Sequence, residues 1–210
     1  MNDARVPRQD AHAAPPATAV DEAIGSHPDP VAPGNEVSAG AIVDDAIGSH
    51  PDPGPGRLTH LDSSGRARMV DVSGKEITTR TATAAGRVLL SAEAVAALRD
   101  GTVPKGDALA VARIAAIGGA KQTPDLIPLC HPIGLHAVNV GLRVADDGVD
   151  IEVTARTADR TGVEMEALTA VTVGALALID MIKAVDPAAT ITGVMVTEKT
   201  GGASGHWSRP

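Results

Sequence analysis

From Leu58 onward the chain alternates between two hydrophobic periods. Ile77 to Leu90 places apolar residues against threonines and arginines at a period of two, as a strand with one buried face does. The run Arg68-Met-Val-Asp-Val72 predicts a shorter strand ahead of it. Ser91 then opens Ala-Glu-Ala-Val-Ala-Ala-Leu98 and Gly101 follows, a serine N-cap and a trailing glycine that bracket a helix. Asp107 is placed to cap a second, alanine-rich helix from Ala108 to about Lys121. His136 to Ala145 and Val149 to Thr157 return to alternation, and Asp146-Asp147-Gly148 predicts a hairpin turn between them. A long apolar helix is expected from about Val163 to Val185, stopped ahead of Pro187, and Ile191 to Thr197 is the last predicted strand. This order predicts an α+β domain, a mostly antiparallel sheet with helices packed on one face.

The first 57 residues differ. They hold nine of the fifteen prolines and show no sustained period, so a disordered tail over 1–57 and a folded domain over 58–210 are expected. Within the tail Asp21-Glu-Ala-Ile-Gly-Ser-His-Pro-Asp-Pro30 recurs as Asp44-Asp-Ala-Ile-Gly-Ser-His-Pro-Asp-Pro53. Two copies are too few for a stacked repeat array, which leaves a duplicated linker as the simplest reading. Weak metal ligation by His27 and His50, or a short docking motif, are its alternatives.

Composition narrows the function classes. The formal net charge is −8, and residues 1–57 carry three arginines against nine acids. Neither a basic stripe nor stacking aromatics are present, which argues against a nucleic-acid partner. With one tryptophan and no phenylalanine or tyrosine, the core must be built from small aliphatic side chains, and stability then leans on extensive packing or subunit contacts. A single cysteine excludes an intrachain disulfide. The N-terminal stretch resembles neither a signal nor a transit peptide, and the apolar run Ala167 to Ile179 is too short to span a bilayer, so a cytoplasmic protein without a membrane partner is expected.

Four short motifs carry chemistry. Asp125-Leu-Ile-Pro-Leu-Cys-His-Pro132 sets Cys130 and His131 between two prolines that stiffen the turn. In Lys105-Gly-Asp107 the lysine stands just outside a helix N-terminus, where the dipole favours an anion, so an anion between the two would suit both. Glu164-Met-Glu166 opens the long helix, with Arg156, Arg160 or a ligand amino group as partner. Asp180 and Lys183, three apart, share a helix face amid apolar neighbours, an arrangement suited to a desolvated, proton-transferring pair. Taken one at a time, a solvated lysine, an ordinary surface pair and a dipole-relaxed glutamate would explain each. Glu166 and Asp180 are fourteen residues apart, ~21 Å on a continuous helix. They can serve one small ligand only if different chains supply them, which predicts an oligomer with interfacial sites.

Together these motifs resemble those of the MoaC family, the cyclic pyranopterin monophosphate synthases of molybdenum-cofactor biosynthesis. The resemblance covers about Leu58 to Gly205. It runs through Leu58-Thr-His60, Met69-Val-Asp-Val-Ser73, Lys105-Gly-Asp107, Asp125 to Pro132, Thr161 to Thr169, Asp180-Met-Ile-Lys-Ala-Val185 and Lys199-Thr-Gly-Gly202. Thr200 departs from the serine common at that place. The resemblance implies a ferredoxin-like fold, a homohexamer built as a trimer of dimers, and a substrate that is a 3′,8-cyclised dihydro-GTP. That nucleotide is rearranged to cyclic pyranopterin monophosphate with release of pyrophosphate. It implies Asp180 as the active-site aspartate with Lys183 as companion and Lys105 and Lys199 as lysines of the same pocket. Leu129, Cys130, His131, Met165 and Glu166 then form substrate-binding segments. Arg80 is a further candidate for neutralising the leaving pyrophosphate. No tightly bound cofactor and no protein metal cage are expected, Mg²⁺ arriving with the triphosphate. Two rivals stand beside this reading: a thiol enzyme using Cys130 and His131, and a nucleotide-binding module without turnover.

Overall fold

The computed structural model describes Leu61 and residues 64–210. The tail, its duplicated decamer and His60 lie outside the described residues. Nine elements follow in the order β1 (Thr78–Leu89), α1 (Ala92–Asp100), α2 (Ala108–Lys121), α3 (Thr123–Leu126), β2 (Leu135–Ala145), β3 (Gly148–Asp159), α4 (Glu164–Ile182), β4 (Thr190–Thr200) and β5 (Trp207–Ser208). The strands form one antiparallel sheet in the order β2-β3-β1-β4-β5. The first four strands give the ferredoxin-like α+β arrangement, and β5 adds a short edge.

The alternation of β1 fixes which face is covered. Ala82, Ala84 and Val88 are buried, as are Val149, Ile151, Val153 and Ala155 on β3, and α4 lies across both strands. The hairpin between β2 and β3 pairs Ala145 with Gly148. Gly148 has φ +154°, and a Cβ there would stand 2.0 Å from the Val88 carbonyl oxygen, so no side chain fits. Ser91 caps α1 through its Oγ, and Gly101 ends it in the left-handed conformation at φ +67°.

Lacking large aromatics, the core compensates by close approach of backbones. A Cβ on Gly119 would lie 2.8 Å from the Val173 Cβ, and one on Gly174 3.1 Å from the Ala116 Cβ. Ala112, Ala116 and Gly119 of α2 therefore nest against Val173 and Gly174 of α4. The two helices run antiparallel, so the start of α2 meets the end of α4.

Two expectations change. Among the described residues no strand pairs with Arg68 to Val72, so it is not a strand there; a bridge nearby joins Leu61 to Ala67. Beyond the expected elements, the structure adds the short α3 and β5. Finally, α4 is long and apolar enough to cross a membrane by length and composition. Length does not separate it from a membrane span; its burial against β1, β3 and α2 does.

Candidate active site

The C-terminal end of α4 gathers three charged groups. Gly106, at φ +96°, turns the chain so that Asp107 caps α2, its Oδ1 accepting from the Ala110 N–H at 2.9 Å. Lys105 thereby reaches α4. Its Nζ donates to Asp180 Oδ2 and to the Asp180 carbonyl, each at 2.8 Å. Lys183 Nζ takes the other carboxylate oxygen, Oδ1, at 2.8 Å. Hydrogen bonds from Lys105 first, then Lys183, push the Asp180 carboxyl down to about 2. The anion expected beside Lys105 is thus, in the free protein, Asp180 itself. The expected desolvation of the Asp180 and Lys183 pair does not hold within one protomer. Leu178, Met181 and Ile182 turn into the core and leave 180 and 183 exposed on the outer face.

The N-terminal end of α4 gathers a different set. Lys199 on β4 donates to Glu164 Oε1 at 2.9 Å. Glu164 folds back over Gly162, where a Cβ would stand 1.9 Å from Oε2. Two positions on, Glu166 is only 3% exposed. Burial, with a smaller push from Glu164, raises its carboxyl to about 7 against the pull of its own backbone N–H. Of the proposed partners, Arg160 is engaged elsewhere, its Nε donating to the Lys75 carbonyl at 2.9 Å.

Cys130 and His131 go separate ways, as neighbours in extended chain do. His131 Nε2 lies 2.7 Å from the Val70 carbonyl. The Cys130 thiol is pushed up, first by burial and then by the charge of Glu166. A nucleophilic cysteine needs the opposite shift. Leu129 and Met165 are exposed near this end. Arg80 donates from Nε to the Asp159 carbonyl at 3.0 Å and from Nη2 to the Arg160 carbonyl at 3.1 Å. Gly202 sits against it, so that a Cβ there would be 2.2 Å from Nη1.

The fold therefore groups Lys105, Asp180 and Lys183 at one end of α4. The other end holds Glu164, Glu166, Cys130 and Lys199. Sequence reasoning placed Lys105 with the phosphate-binding lysines and did not see it bonded to Asp180 across 75 residues. The Glu164–Lys199 link was equally hidden, because spacing carries no signal for contacts between distant segments. Among the described residues, no group of three or more His, Cys, Asp or Glu side chains is disposed to hold a metal ion.

The family model described as "MoaC family" matches residues 69–202. The cyclic pyranopterin monophosphate synthase of Streptomyces avermitilis is 67% identical over 153 residues, covering 73% of this chain and 90% of that protein. The enzyme of that name from Nocardioides sp. is 64% identical over 159 residues, 74% of this chain and 98% of its own. Cyclic pyranopterin monophosphate synthase 2 of Mycobacterium tuberculosis is 54% identical over 154 residues, with 73% and 92% covered. The matched span contains every motif at both ends of α4, and the chain belongs to the MoaC family.

Proposed function

We propose that this protein converts the 3′,8-cyclised dihydro-GTP into cyclic pyranopterin monophosphate and releases pyrophosphate, a lyase step in molybdenum-cofactor biosynthesis. The observation that carries the reading is the Lys105–Asp180–Lys183 cluster, two ammonium groups held side by side by one ionised carboxylate. A polyanionic nucleotide meets paired cations there, and Asp180 keeps them oriented.

The residue types fit the chemistry. A ribose hydroxyl attacks the α-phosphorus in line and pyrophosphate departs with the bond electrons. Lys105, Lys199, Arg80 and His131 are the groups suited to neutralise its charge. Rebuilding the ring system needs proton transfers, which Lys183 supplies at one end and Glu166, with its carboxyl near 7, at the other. Asp180, held at about 2, acts as a fixed charge rather than a proton carrier in the free protein. Glu166 and the Leu129-Cys130-His131 and Met165 segments hold the guanine-derived ring by its N–H edge. Mg²⁺ arrives with the triphosphate.

Glu166 and Asp180, at the two ends of α4, are ~21 Å apart by helix rise, so we assign a complete site to two protomers of a homo-oligomer, in line with a hexamer made of three dimers, working in the cytoplasm. Incubation of the purified protein with the cyclised nucleotide, with detection of the pterin product and pyrophosphate, tests the reaction. Product formation supports it. Tight binding without turnover favours a nucleotide-binding module instead.

A further inference from the structure

Lys199 faces α4 because β4 is irregular. Ala84 of β1 pairs with Val196 and Ala82 pairs with Lys199. Both alanines are buried on the helix-covered face, so their cross-strand partners point the same way. In a regular strand two residues three apart point to opposite faces. The register shift between Thr83 and Ala84 inserts Thr197 as an extra residue and reverses the parity. Without that bulge Lys199 would turn to the other face of the sheet, away from Glu164.

On the β1 side, Thr197 Oγ1 donates to the Thr83 carbonyl at 3.2 Å. The other side is held by the C-terminal segment. Gly201, Gly202 and Gly205, at φ +93°, +68° and +63°, turn the chain back. Trp207 then pairs with Lys199 and Ser208 with Glu198. Arg209 completes the hold: its backbone N–H donates to the carbonyl of the bulged Thr197 at 2.8 Å, and its Nε to the Val196 carbonyl at 2.8 Å. The same guanidinium lies over the Trp207 ring, 5.7 Å from its centroid. Among the described residues, this segment meets β4 over 196–199, the bulge and the lysine.

We propose that Trp207 and Arg209 form a clasp that locks the Thr197 bulge and thereby sets the direction of Lys199. The two act through Lys199 and are positioning residues. The proposal rests on Lys199 serving the nucleotide pocket, as in the function proposed above.

The test compares the full chain with a Trp207→Ala/Arg209→Ala double variant, each with and without Lys199→Ala. The clasp variant is expected to lose kcat/KM on the order of 10- to 100-fold, the scale of a misplaced group. Adding it to Lys199→Ala is expected to cost less than about twofold more, because both changes remove one interaction. Trp207→Tyr with Arg209 intact should restore most of the activity, and amide exchange at residues 196–199 should quicken in the double variant. Unchanged kcat/KM, or a loss that multiplies fully with that of Lys199→Ala, would overturn the clasp. Should the double variant not fold, Arg209→Gln, which leaves the strand pairing in place, takes its role with the same outcomes. If the wild-type protein itself turns over no cyclised nucleotide, the proposed function fails, and the exchange rates at 196–199 decide the clasp alone: faster supports it, unchanged ends it.

Discussion

The two ends of α4 hold carboxyl groups of nearly equal intrinsic acidity in opposite states. Asp180 is exposed and flanked by two ammonium groups, and its carboxyl falls to about 2. Among the described residues no cation pairs with the buried Glu166, its neighbour Glu164 having taken Lys199, and its carboxyl rises to about 7. The helix dipole would do the reverse, since it favours anions at the N-terminus and opposes them at the C-terminus. Its effect of about 0.3–1 kcal/mol is smaller than that of raising the Glu166 carboxyl from its ordinary range to about 7, at about 1.4 kcal/mol for each tenfold change in acidity. Local pairing and burial therefore decide the roles. One end offers fixed charge that organises cations; the other offers a group able to take or give a proton near neutrality.

The largest effect should come from the end that offers cations. Lys183→Ala leaves the Lys105–Asp180 contact in place and is expected to stay folded while turnover falls by about 10²- to 10⁴-fold, the usual worth of a proton-transferring group. Steady-state kinetics beside a thermal melt check this. A near-normal rate in a folded protein would make Lys183 a bystander.

Mixing tests whether both ends serve one pocket. Lys183→Ala spoils one end of α4 and Glu166→Gln the other. If a site takes one end from each of two protomers, unfolding and refolding the two inactive variants together should recover about a quarter of wild-type activity, from random pairing with one intact site per mixed dimer. No recovery, with mixed oligomers present, would mean that each chain works with its own two ends.

Glu166 also leaves a mark on stability. Its carboxyl sits above its unfolded value, so between about pH 4.5 and 7 the folded protein keeps a proton that the unfolded chain gives up. Stability is thus lost as pH rises through that window and is fully reduced above it. Glu166→Gln removes the titration. The variant's stability relative to wild type should improve by about 2–3 kcal/mol between pH 5 and pH 8, read from denaturant melts at both values. A difference that does not vary with pH would show that folding leaves the Glu166 carboxyl near its ordinary value.

The legible part of this molecule was local. Threonine alternation gave β1, the Ser91 and Asp107 caps gave the starts of α1 and α2, and Asp-Asp-Gly148 gave the hairpin, because each rests on residues near one another in sequence. Asp180 and Lys183 fell on one face for the same reason. Arg68 to Val72 failed because alternation marks a strand only where a partner exists. The Asp180 environment failed because apolar neighbours on a helix say nothing of which way the polar residue turns. Lys105 on Asp180 and Lys199 on Glu164 needed the antiparallel α2–α4 packing and the β4 bulge, and neither leaves a mark in residue spacing.

Cys130 offers the smallest effect and separates the remaining rival. Its thiol lies near Glu166, and burial together with that charge holds it protonated. A serine there keeps a small donor beside the carboxyl and loses only sulfur's bulk and its nucleophilicity. If Cys130 merely lines the ring-binding segment, Cys130→Ser should change kcat by less than about threefold, since no interaction specific to the transition state is removed. A thiol enzyme would lose nearly all activity, because a serine without an adjacent base is a far weaker nucleophile, and His131 is engaged with the Val70 carbonyl. The sign of a small change is informative too. A serine hydroxyl that donates to Glu166 more strongly than a thiol would lower that carboxyl, and the low-pH limb of kcat/KM should move to lower pH with it.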